Sequence, residues 1–366
     1  MQGKKKKILF SAYSLDVGGI ETALVTLLNY LSKQDEYDIT LVLEKKQGIF
    51  LEKLDKKIKV IKYTPSYIKL IGKGINAIKR AKFILLYKNK FDASFAYATY
   101  CKMASFTART ASENASLWVH NNYYYFFEKD DNAYKEFFDS IFAHSFKNIL
   151  FVSEEAKKQY IEKYGTLLEN VDVCNNLINY KRIQRLAKEE IKLKRDDTLT
   201  TFINVARHDE HQKRITRLIE STKLLKQDDK KFRILLVGSG NDTEKYKEMV
   251  ETYNLSKEVI FVGNQSNPYP YYDISDCVIL TSEYEGYPVV YVEANVLNKP
   301  IITTDVSDSK KEIENKFGII TEKSVQSIYN AMKNFIENGY EIKEKFEPVA
   351  FNSEIIEKVK KIIDKQ

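Results

Sequence analysis

Two acidic residues, Glu285 and Glu293, lie in and shortly after a turn that could bind a phosphate. The turn, residues 283–287, lies between an apolar run at 277–282 and a helical pattern that leads to a second apolar run at 301–305. In such a unit the helix N-terminus offers unpaired N–H groups and the positive end of the helix dipole to an anion. A carboxylate at position 285 would repel that anion, so we expect it to face hydroxyl groups attached to the phosphate. We interpret the unit as a binding site for a sugar nucleotide.

The predicted helix after this turn has a proline near each end. Pro288 suits the first helical position, because its missing N–H would be unpaired there in any case. Asn298 and Pro300 end the helix before the next apolar run. Glu293 lies about two helical turns beyond Glu285, so the two carboxylates are expected on either side of the phosphate.

Two cations, Arg207 and Lys213, form a second candidate group. Arg207 follows an apolar run at 201–206 and Lys213 opens the next helix, so both are expected at the same sheet edge as Glu285. There they could neutralise a diphosphate, each charge-assisted hydrogen bond contributing roughly 1.5–3 kcal/mol. If the diphosphate is a leaving group, these contacts also stabilise the transition state. The alternative is a basic surface loop, and the shared edge favours the binding role.

The loop between these cations also contains His208 and His211, and histidine is a common metal ligand. It lacks a third strong ligand set at the spacing of metalloenzymes, and the sequence has no D-x-D motif. We therefore expect metal-independent chemistry and no cofactor.

The N-terminal half offers a glycine pair and a histidine. Gly18 and Gly19 follow an apolar run at 5–13 and precede a helical pattern, so the backbone could approach a ligand closely there. Glycine pairs are also common in ordinary turns, and G-x-G-x-x-G is absent. His120 ends the apolar run 116–120, where it could donate a hydrogen bond to a substrate. A histidine satisfied by the backbone fits that position equally well.

Short apolar runs alternate with helical patterns along both halves of the chain, which predicts two doubly wound parallel sheets. The remaining predicted strands are residues 37–43, 58–63, 91–97, 148–153, 171–174, 232–237 and 258–263. A polar stretch at 179–198 separates the halves and is expected to be a linking helix. The predicted fold is thus α/β, with two Rossmann-like domains facing a cleft.

Composition is typical of a globular protein with two cores. The 366 residues exceed the usual size of one domain, and no apolar run has the length of a membrane span. The N-terminus does not resemble a signal peptide, so we expect a cytoplasmic protein. Cys101, Cys174 and Cys277 are far apart and are expected to be reduced core residues.

Residues 56–91 contain eleven Lys or Arg residues and no acid, interleaved with apolar and aromatic residues. Such a segment can lie on an anionic bilayer, each basic residue contributing about 1 kcal/mol. The alternative is a solvated, lysine-rich helix, and the absence of acids favours the membrane. No nucleic-acid-binding signature is present. We therefore expect peripheral contact with the inner face of a membrane.

The sequence resembles the retaining glycosyltransferases of the GT-B fold, specifically family 4, many of which build bacterial capsules and other surface polysaccharides. The resemblance covers nearly the whole chain. Its most specific part is E-x7-E at Glu285 and Glu293. The other shared motifs are S-N-P-Y-P-Y-Y at 266–272, V-G-S-G at 237–240, G-G-I-E at 18–21 and the Arg207–Lys213 pair.

The resemblance implies a role for each candidate residue. Arg207 and Lys213 would bind the donor diphosphate, Glu285 the hydroxyls of the donor sugar, and Glu293 the ribose. His120 would lie near the transferred sugar. The remaining donor-binding positions implied are Gly18 and Gly19 near the phosphate, Gly238, Asn264 near the base, and the phosphate cradle of Gly286, Tyr287, Val289 and Val290.

The resemblance also assigns the domains. Residues 1–178 would form the acceptor-side domain, 179–198 the linker, 199–345 the donor domain and 346–366 a helix that packs back on the first domain. The implied reaction moves a sugar, with retention, from a nucleoside-diphosphate sugar to a lipid-linked or polymeric glycan. UDP is the expected nucleotide. Attack would occur on the front face, with a donor phosphate oxygen taking the acceptor's proton.

Two features of the loop that carries Arg207 and Lys213 depart from the family pattern. The Arg207–Lys213 interval is one residue longer than the commonest form, and Arg214 stands where glycine often follows the lysine.

A non-catalytic sugar-nucleotide-binding subunit is the main alternative to a glycosyltransferase. A nicotinamide oxidoreductase is disfavoured, because Thr243 occupies the place of the third glycine after Gly238 and Gly240.

Overall fold

The chain forms two units, each built around its own parallel sheet. A computed structural model describes residues 4–16, 18–69, 71–165 and 170–365. The first unit comprises Met1–Ile178 and Val349–Gln366, and the second comprises Asn179–Pro348. The predicted fold class of two doubly wound parallel-sheet domains is confirmed.

The sheet of the first unit has seven parallel strands in the order β3-β2-β1-β4-β5-β6-β7. They are β1 (Lys6–Ala12), β2 (Tyr37–Leu43), β3 (Lys59–Lys62), β4 (Ala93–Ala96), β5 (Ala115–Val119), β6 (Asn148–Phe151) and β7 (Val171–Val173). The central strands are buried along most of their length, as expected where helices cover both faces of a sheet.

The sheet of the second unit has six parallel strands in the order β10-β9-β8-β11-β12-β13. They are β8 (Thr200–Val205), β9 (Phe232–Val237), β10 (Val259–Gly263), β11 (Cys277–Leu280), β12 (Ile301–Thr304) and β13 (Gly318–Thr321). β13 is an edge strand of four residues that the sequence patterns did not predict.

The helices cover the two sheets within each unit. In chain order they are α1 (Gly19–Leu31), α2 (Gly72–Tyr87), α3 (Lys102–Ala111), α4 (Tyr123–Phe126), α5 (Asp131–Ser140), α6 (Glu154–Tyr164), α7 (Tyr180–Leu186), α8 (Glu210–Lys213), α9 (Ile215–Gln227), α10 (Thr243–Thr252), α11 (Tyr269–Asp273), α12 (Val289–Val296), α13 (Ser309–Glu312), α14 (Val325–Asn338) and α15 (Pro348–Asp364). Two 3-10 turns occupy Leu51–Lys53 and Ala143–Ser145. The predicted linking helix at 179–198 is helical only over α7.

The last helix, α15, belongs to the first unit. Asn114 donates a hydrogen bond to the carbonyl of Ile362 at 2.7 Å, and Asn352 bonds to the backbone of Ile178. Ile355 and Val359 are buried on the same helix. No helix in the described ranges is long and apolar enough to cross a membrane.

The strand order of the second unit reverses between β8 and β11, which are neighbours although they are far apart in sequence. In an open parallel sheet, ligands bind at the carboxyl ends of the strands at such a reversal. The loop after β8 carries Arg207 and Lys213, and the turn after β11 carries Glu285. The strand order therefore brings the two predicted groups to one place.

Candidate functional site

The loop after β8 is shaped by a single helical turn and an unusual backbone conformation. Asp209 caps α8 by accepting a hydrogen bond from the N–H of Gln212. Arg214, which follows α8, has φ 47°, in the left-handed region that glycine adopts most readily. The glycine often found at this place in the resembling family matches that conformation, and here Arg214 adopts it instead.

Lys213 and Glu285 form a buried ion pair. The ammonium of Lys213 lies 2.5 Å from Oε1 of Glu285, which also accepts a hydrogen bond from Ser282 Oγ at 2.6 Å. Nε2 of Gln212 lies 3.3 Å from Oε2. Glu285 is only 5% exposed. Both of its oxygens have partners, and the ammonium of Lys213 balances its charge inside the protein.

This ion pair was not predicted from the sequence. The prediction assigned Lys213 to the diphosphate and Glu285 to the sugar, as separate groups. In the structure the two residues bind each other. Because an ammonium has three donors, Lys213 can hold Glu285 and still donate to a phosphate oxygen. Lys213 can therefore still bind the diphosphate and Glu285 the sugar, but the two residues act as one ion pair.

Arg207 is the accessible cation of this edge. Its guanidinium lies 3.2 Å from Asp209 Oδ2 and 3.4 Å from Gln212 Oε1, and the side chain is 66% exposed. A guanidinium has five N–H donors, so these two contacts leave donors for an incoming anion. Arg207 is therefore placed to meet a phosphate from solvent.

Glu293 is held by two tyrosines that sequence reasoning did not assign. The hydroxyls of Tyr269 and Tyr272 donate to its two oxygens at 3.0 and 2.9 Å. Burial raises the pKa of Glu293 above its ordinary value, although both tyrosine hydrogen bonds and the charge of Arg182 act in the opposite direction. The S-N-P-Y-P-Y-Y motif was the available signal for these tyrosines. Each carboxylate oxygen keeps a further lone pair for a ligand hydroxyl.

The predicted phosphate cradle, residues 286–290, spans the end of the turn and the start of α12. The helix begins at Val289, and Pro288 precedes it, one residue later than the sequence predicted. Helix geometry leaves the first N–H groups without an intrahelical partner, including that of Val290. The carbonyl of Gly286 accepts a hydrogen bond from Ser307, and burial raises the pKa of the Tyr287 hydroxyl. The predicted phosphate cradle thus directly follows Glu285 in the sequence and lies at the same sheet edge.

A separate cluster fixes the start of this turn. Glu283 lies beside Arg214, Arg217 and Lys323, and its N–H donates to the carbonyl of Gln212 at 2.7 Å. Burial acts to raise the pKa of Glu283, but the hydrogen bond from Arg217 and the three nearby cations lower it below its ordinary value. These contacts tie the turn after β11 to the loop after β8.

Gly238 has a packing role in the structure. A Cβ atom at Gly238 would lie 2.0 Å from the carbonyl oxygen of Ala206, and one at Gly240 would lie 2.2 Å from that of His208. The N–H of His208 also donates to Ser239 O at 3.0 Å. The V-G-S-G motif therefore lets the loop after β9 support the loop that carries Arg207. Asn264 is exposed directly after β10, and its predicted contact with a base stays a prediction.

The N-terminal candidates lie at the carboxyl edge of the first sheet. Gly18 is the N-cap of α1 with extended backbone, and Gly19 is exposed at its first residue. His120 follows β5, with its ring 4.3 Å from that of Tyr97. Neither of its ring nitrogens makes a hydrogen bond of ordinary geometry to a described residue. Burial lowers the pKa of His120 to about 3, an effect that the Tyr97 backbone only partly offsets.

The predicted absence of a metal site concerns above all the two histidines of the loop after β8. Among the residues that the structure describes, no group of three or more His, Cys, Asp or Glu side chains is arranged to hold a metal ion. His208 instead bonds to Thr243 Oγ1 at 2.9 Å, and burial lowers its pKa. His211 bonds to the Tyr284 hydroxyl at 3.1 Å.

Comparison with known proteins matches the second unit to a family. Residues 187–352 match the model of the family described as glycosyl transferases group 1. An uncharacterized glycosyltransferase, MJ1059, of Methanocaldococcus jannaschii is 28% identical over 54% of the chain, and the match spans 49% of that relative's length. The chain is 23% identical to a Campylobacter jejuni N-acetylgalactosamine-N,N'-diacetylbacillosaminyl-diphospho-undecaprenol 4-alpha-N-acetylgalactosaminyltransferase over 91% of both.

A solved structure matches both units. The crystal structure of Anabaena Alr3699/HepE in complex with UDP and glucose superposes with a TM-score of 0.74 at 19% identity, covering 97% of this chain and 100% of that one. This similarity confirms the predicted GT-B fold of two parallel-sheet α/β domains.

Proposed function

We propose that the chain is a retaining glycosyltransferase. In this proposal it moves a sugar from a nucleoside-diphosphate sugar, with UDP as the nucleotide, to a lipid-linked or polymeric glycan of a bacterial surface polysaccharide such as a capsule. The observation that carries the proposal is the buried Lys213–Glu285 pair at the strand-order reversal of the second unit. The family match over residues 187–352 and the UDP and glucose complex of the similar Anabaena protein support it.

The proposed donor site divides the nucleotide sugar among distinct groups. Arg207, Lys213 and the N–H groups of Gly286, Tyr287, Val289 and Val290 bind the diphosphate. Oxygens of Glu285 accept from hydroxyls of the donor sugar, while Lys213 stays paired with that carboxylate. Glu293, oriented by its two tyrosines, accepts from the ribose hydroxyls. His120 is proposed to contact the transferred sugar as a neutral imidazole.

These groups act where charge develops. As the bond between the anomeric carbon and the diphosphate oxygen breaks, negative charge grows on the diphosphate, and Arg207 and Lys213 stabilise it. The acceptor hydroxyl forms the new bond on the same face and transfers its proton to the departing phosphate. No protein nucleophile takes part in this scheme, and we propose that no metal ion is required.

The test is a panel of sugar nucleotides assayed with the full chain for slow hydrolysis and for thermal stabilisation. A ligand that binds only the folded state at 100 times its Kd adds about 2.7 kcal/mol of stability. Stabilisation together with hydrolysis supports a transferase. Stabilisation by a nucleotide sugar that is never hydrolysed supports the alternative of a non-catalytic binding subunit.

We also propose that α2 contacts an anionic membrane at its cytoplasmic face. The helix buries only Gly72 and Phe83. Ile71, Ile78 and Leu85 recur every seven residues along one stripe and are 59%, 71% and 79% exposed. Four basic residues and no acid lie on the helix, and basic residues together with exposed apolar ones are expected of a helix that lies in a bilayer interface.

A further inference from the structure

The first unit contains a cavity of about 390 Å³ that the proposed donor site does not use. It opens at the carboxyl edge of the first sheet, where Tyr13, Glu44 and Tyr63 follow β1, β2 and β3. Arg80 on α2 and Lys102 on α3 also line it. Its volume lies in the range of small-molecule sites, and the carboxyl edge of a parallel sheet is where such sites form.

The buried carboxylate of Glu44 lines this cavity. Glu44 is 5% exposed and makes no ion pair with a described residue. It accepts hydrogen bonds from the Tyr67 hydroxyl and, at 3.2 Å, from Cys101 Sγ. The hydrogen bond to Glu44 raises the pKa of Tyr67 to about 12, and burial raises that of Cys101 to about 12, so both remain donors. Each carboxylate oxygen keeps a lone pair that a ligand hydroxyl could use.

Aromatic rings surround this carboxylate. Tyr13 and Tyr100 lie 6.0 Å apart between ring centroids, and Tyr63 contributes a third ring to the lining. Tyr100 and Tyr67 are 47% and 73% exposed, so their faces are open to a ligand. A sugar presents apolar C–H faces and polar hydroxyl edges, and a cavity with tyrosine walls and one buried carboxylate matches both. A purely apolar ligand would leave the remaining lone pairs of Glu44 unused.

Cations lie at the α2 side of the same cavity. The guanidinium of Arg80 stacks over the ring of Phe106 at 5.5 Å, and Lys102 is exposed at the first residue of α3. Arg80 belongs to the helix that carries the exposed stripe of Ile71, Ile78 and Leu85. Arg80 and the stripe lie on different faces of α2, so this one helix presents a cation to the cavity and apolar side chains to its surroundings.

We propose that this cavity binds the terminal sugar of the acceptor, with its hydroxyls on Glu44 and its ring against Tyr100, and a neighbouring phosphate on Arg80 and Lys102. The proposal rests on the proposed transferase function and names its acceptor class, a glycosyl phosphate carried by a lipid. The donor groups Lys213, Glu285 and Glu293 play no part in it.

The experiment measures binding of simple sugars to the full chain by saturation-transfer NMR. The probes are the methyl glycosides of glucose, galactose, N-acetylglucosamine and N-acetylgalactosamine, and the 1-phosphates of the same four sugars. At least one sugar should receive saturation, and its 1-phosphate should bind about tenfold more tightly. Arg80→Gln should remove that gain and leave the methyl glycoside unaffected.

Two further variants test the sugar contacts. Glu44→Gln and Tyr100→Ala should each weaken the methyl glycoside about tenfold, whereas Phe126→Ala, an exposed aromatic of the same unit outside the cavity, should not. Tyr100 lies at the rim, so its variant keeps the test valid if Glu44→Gln does not fold. Equal affinity of the wild type and Tyr100→Ala, or no binding of any probe, overturns the proposal.

Thermal stabilisation by UDP, measured on the same samples, separates the two proposals. UDP stabilisation without sugar binding overturns the acceptor cavity and leaves the donor site standing. The opposite result is sugar binding that both Glu44→Gln and Tyr100→Ala weaken, with no thermal stabilisation by UDP or UDP-sugars. That result supports the cavity and contradicts the proposed donor function.

Discussion

At the scale of single residues, the stability of the donor site depends on Lys213 and Glu285 together. A buried ion pair that loses one partner leaves an uncompensated charge, which typically costs about 3–5 kcal/mol. Because the Lys213 side chain is 18% exposed, we expect Glu285→Ala to lower the free energy of unfolding by about 3 kcal/mol and to abolish transfer. The sequence pattern did not predict this ion pair. Urea unfolding and a transfer assay measure the two effects.

A double variant separates stability from activity at this pair. Lys213→Met combined with Glu285→Gln removes both charges, so it should recover most of the stability lost in Glu285→Ala while remaining inactive. Glu285→Gln alone keeps the shape of the side chain and should also be inactive. Turnover by Glu285→Gln at the wild-type rate would refute the site assignment.

The second prediction at this scale concerns the protonation of His120. A pKa near 3 in the folded protein, against an ordinary 6.5, means that the unfolded chain binds this proton more readily. The stabilisation is therefore fully present above pH 6.5 and is lost as pH falls towards 3, by up to about 1.4 kcal/mol per pH unit. His120→Gln should lose stability less steeply than the wild type between pH 6.5 and pH 4 in urea titrations. The exposed His144→Gln is the control, and parallel curves for wild type and His120→Gln would contradict the burial of the imidazole.

At the scale of elements, most of the fold could be predicted, and the contacts within the site could not. Buried parallel strands are continuous apolar runs, so twelve of the thirteen strands were recognisable from sequence, while β13 at the sheet edge is too short to stand out. The Lys213–Glu285 bond depends on β8 and β11 being neighbours, which a list of strands does not specify. Likewise, nothing in the spacing of Tyr269, Tyr272 and Glu293 required their hydroxyls and carboxylate to meet.

The prediction for the loop after β9 compares two glycines to distinguish the effect of close packing from that of backbone conformation. Gly238 and Gly339 both have positive φ, 134° and 66°, but only Gly238 has backbone in the place of a Cβ atom. Gly339→Ala should cost about 1–3 kcal/mol through backbone strain alone. Gly238→Ala should cost more, and should also weaken UDP binding because Ala206 and the neighbouring Arg207 must move. Equal stability and equal UDP affinity of the two variants, measured by urea unfolding and calorimetry, would contradict this role.

The prediction for α2 concerns its exposed stripe. The full chain should bind vesicles that contain anionic lipid, and binding should fall with added salt because surface charges are screened. Replacing Ile71, Ile78 and Leu85 together by serine should weaken binding at least tenfold, since each buried apolar side chain contributes about 1.5–3 kcal/mol. Ile49→Ser, at an exposed apolar residue outside the segment, is the control. Cosedimentation that is equal for neutral and anionic vesicles, or unchanged in the triple variant, would exclude this mode of contact.

At the scale of the whole molecule, the two units divide the proposed chemistry between two sheet edges of similar design. In each sheet the strand order reverses once, between β1 and β4 and between β8 and β11. The second edge carries paired charges and unpaired helix N–H groups, which suit a nucleotide sugar. The first carries a neutral histidine and a tyrosine-lined cavity with one carboxylate, which suit hydroxyl groups. Arg207 and Lys213 thus lie where the leaving group would bind.

This division predicts where ligands slow hydrogen exchange in the full chain. UDP should protect the loops of the second unit at 206–213, 264–272 and 283–290, because these carry the N–H groups and side chains proposed to bind it. Chelation by EDTA should leave that protection and the hydrolysis of a UDP-sugar unchanged, since no metal is proposed in the site. A sugar 1-phosphate should instead protect residues 63–67 and 100–106 of the first unit, around the cavity. Protection by UDP that is confined to the first unit, or lost with EDTA, would contradict the assignment of the donor to paired cations and helix N–H groups.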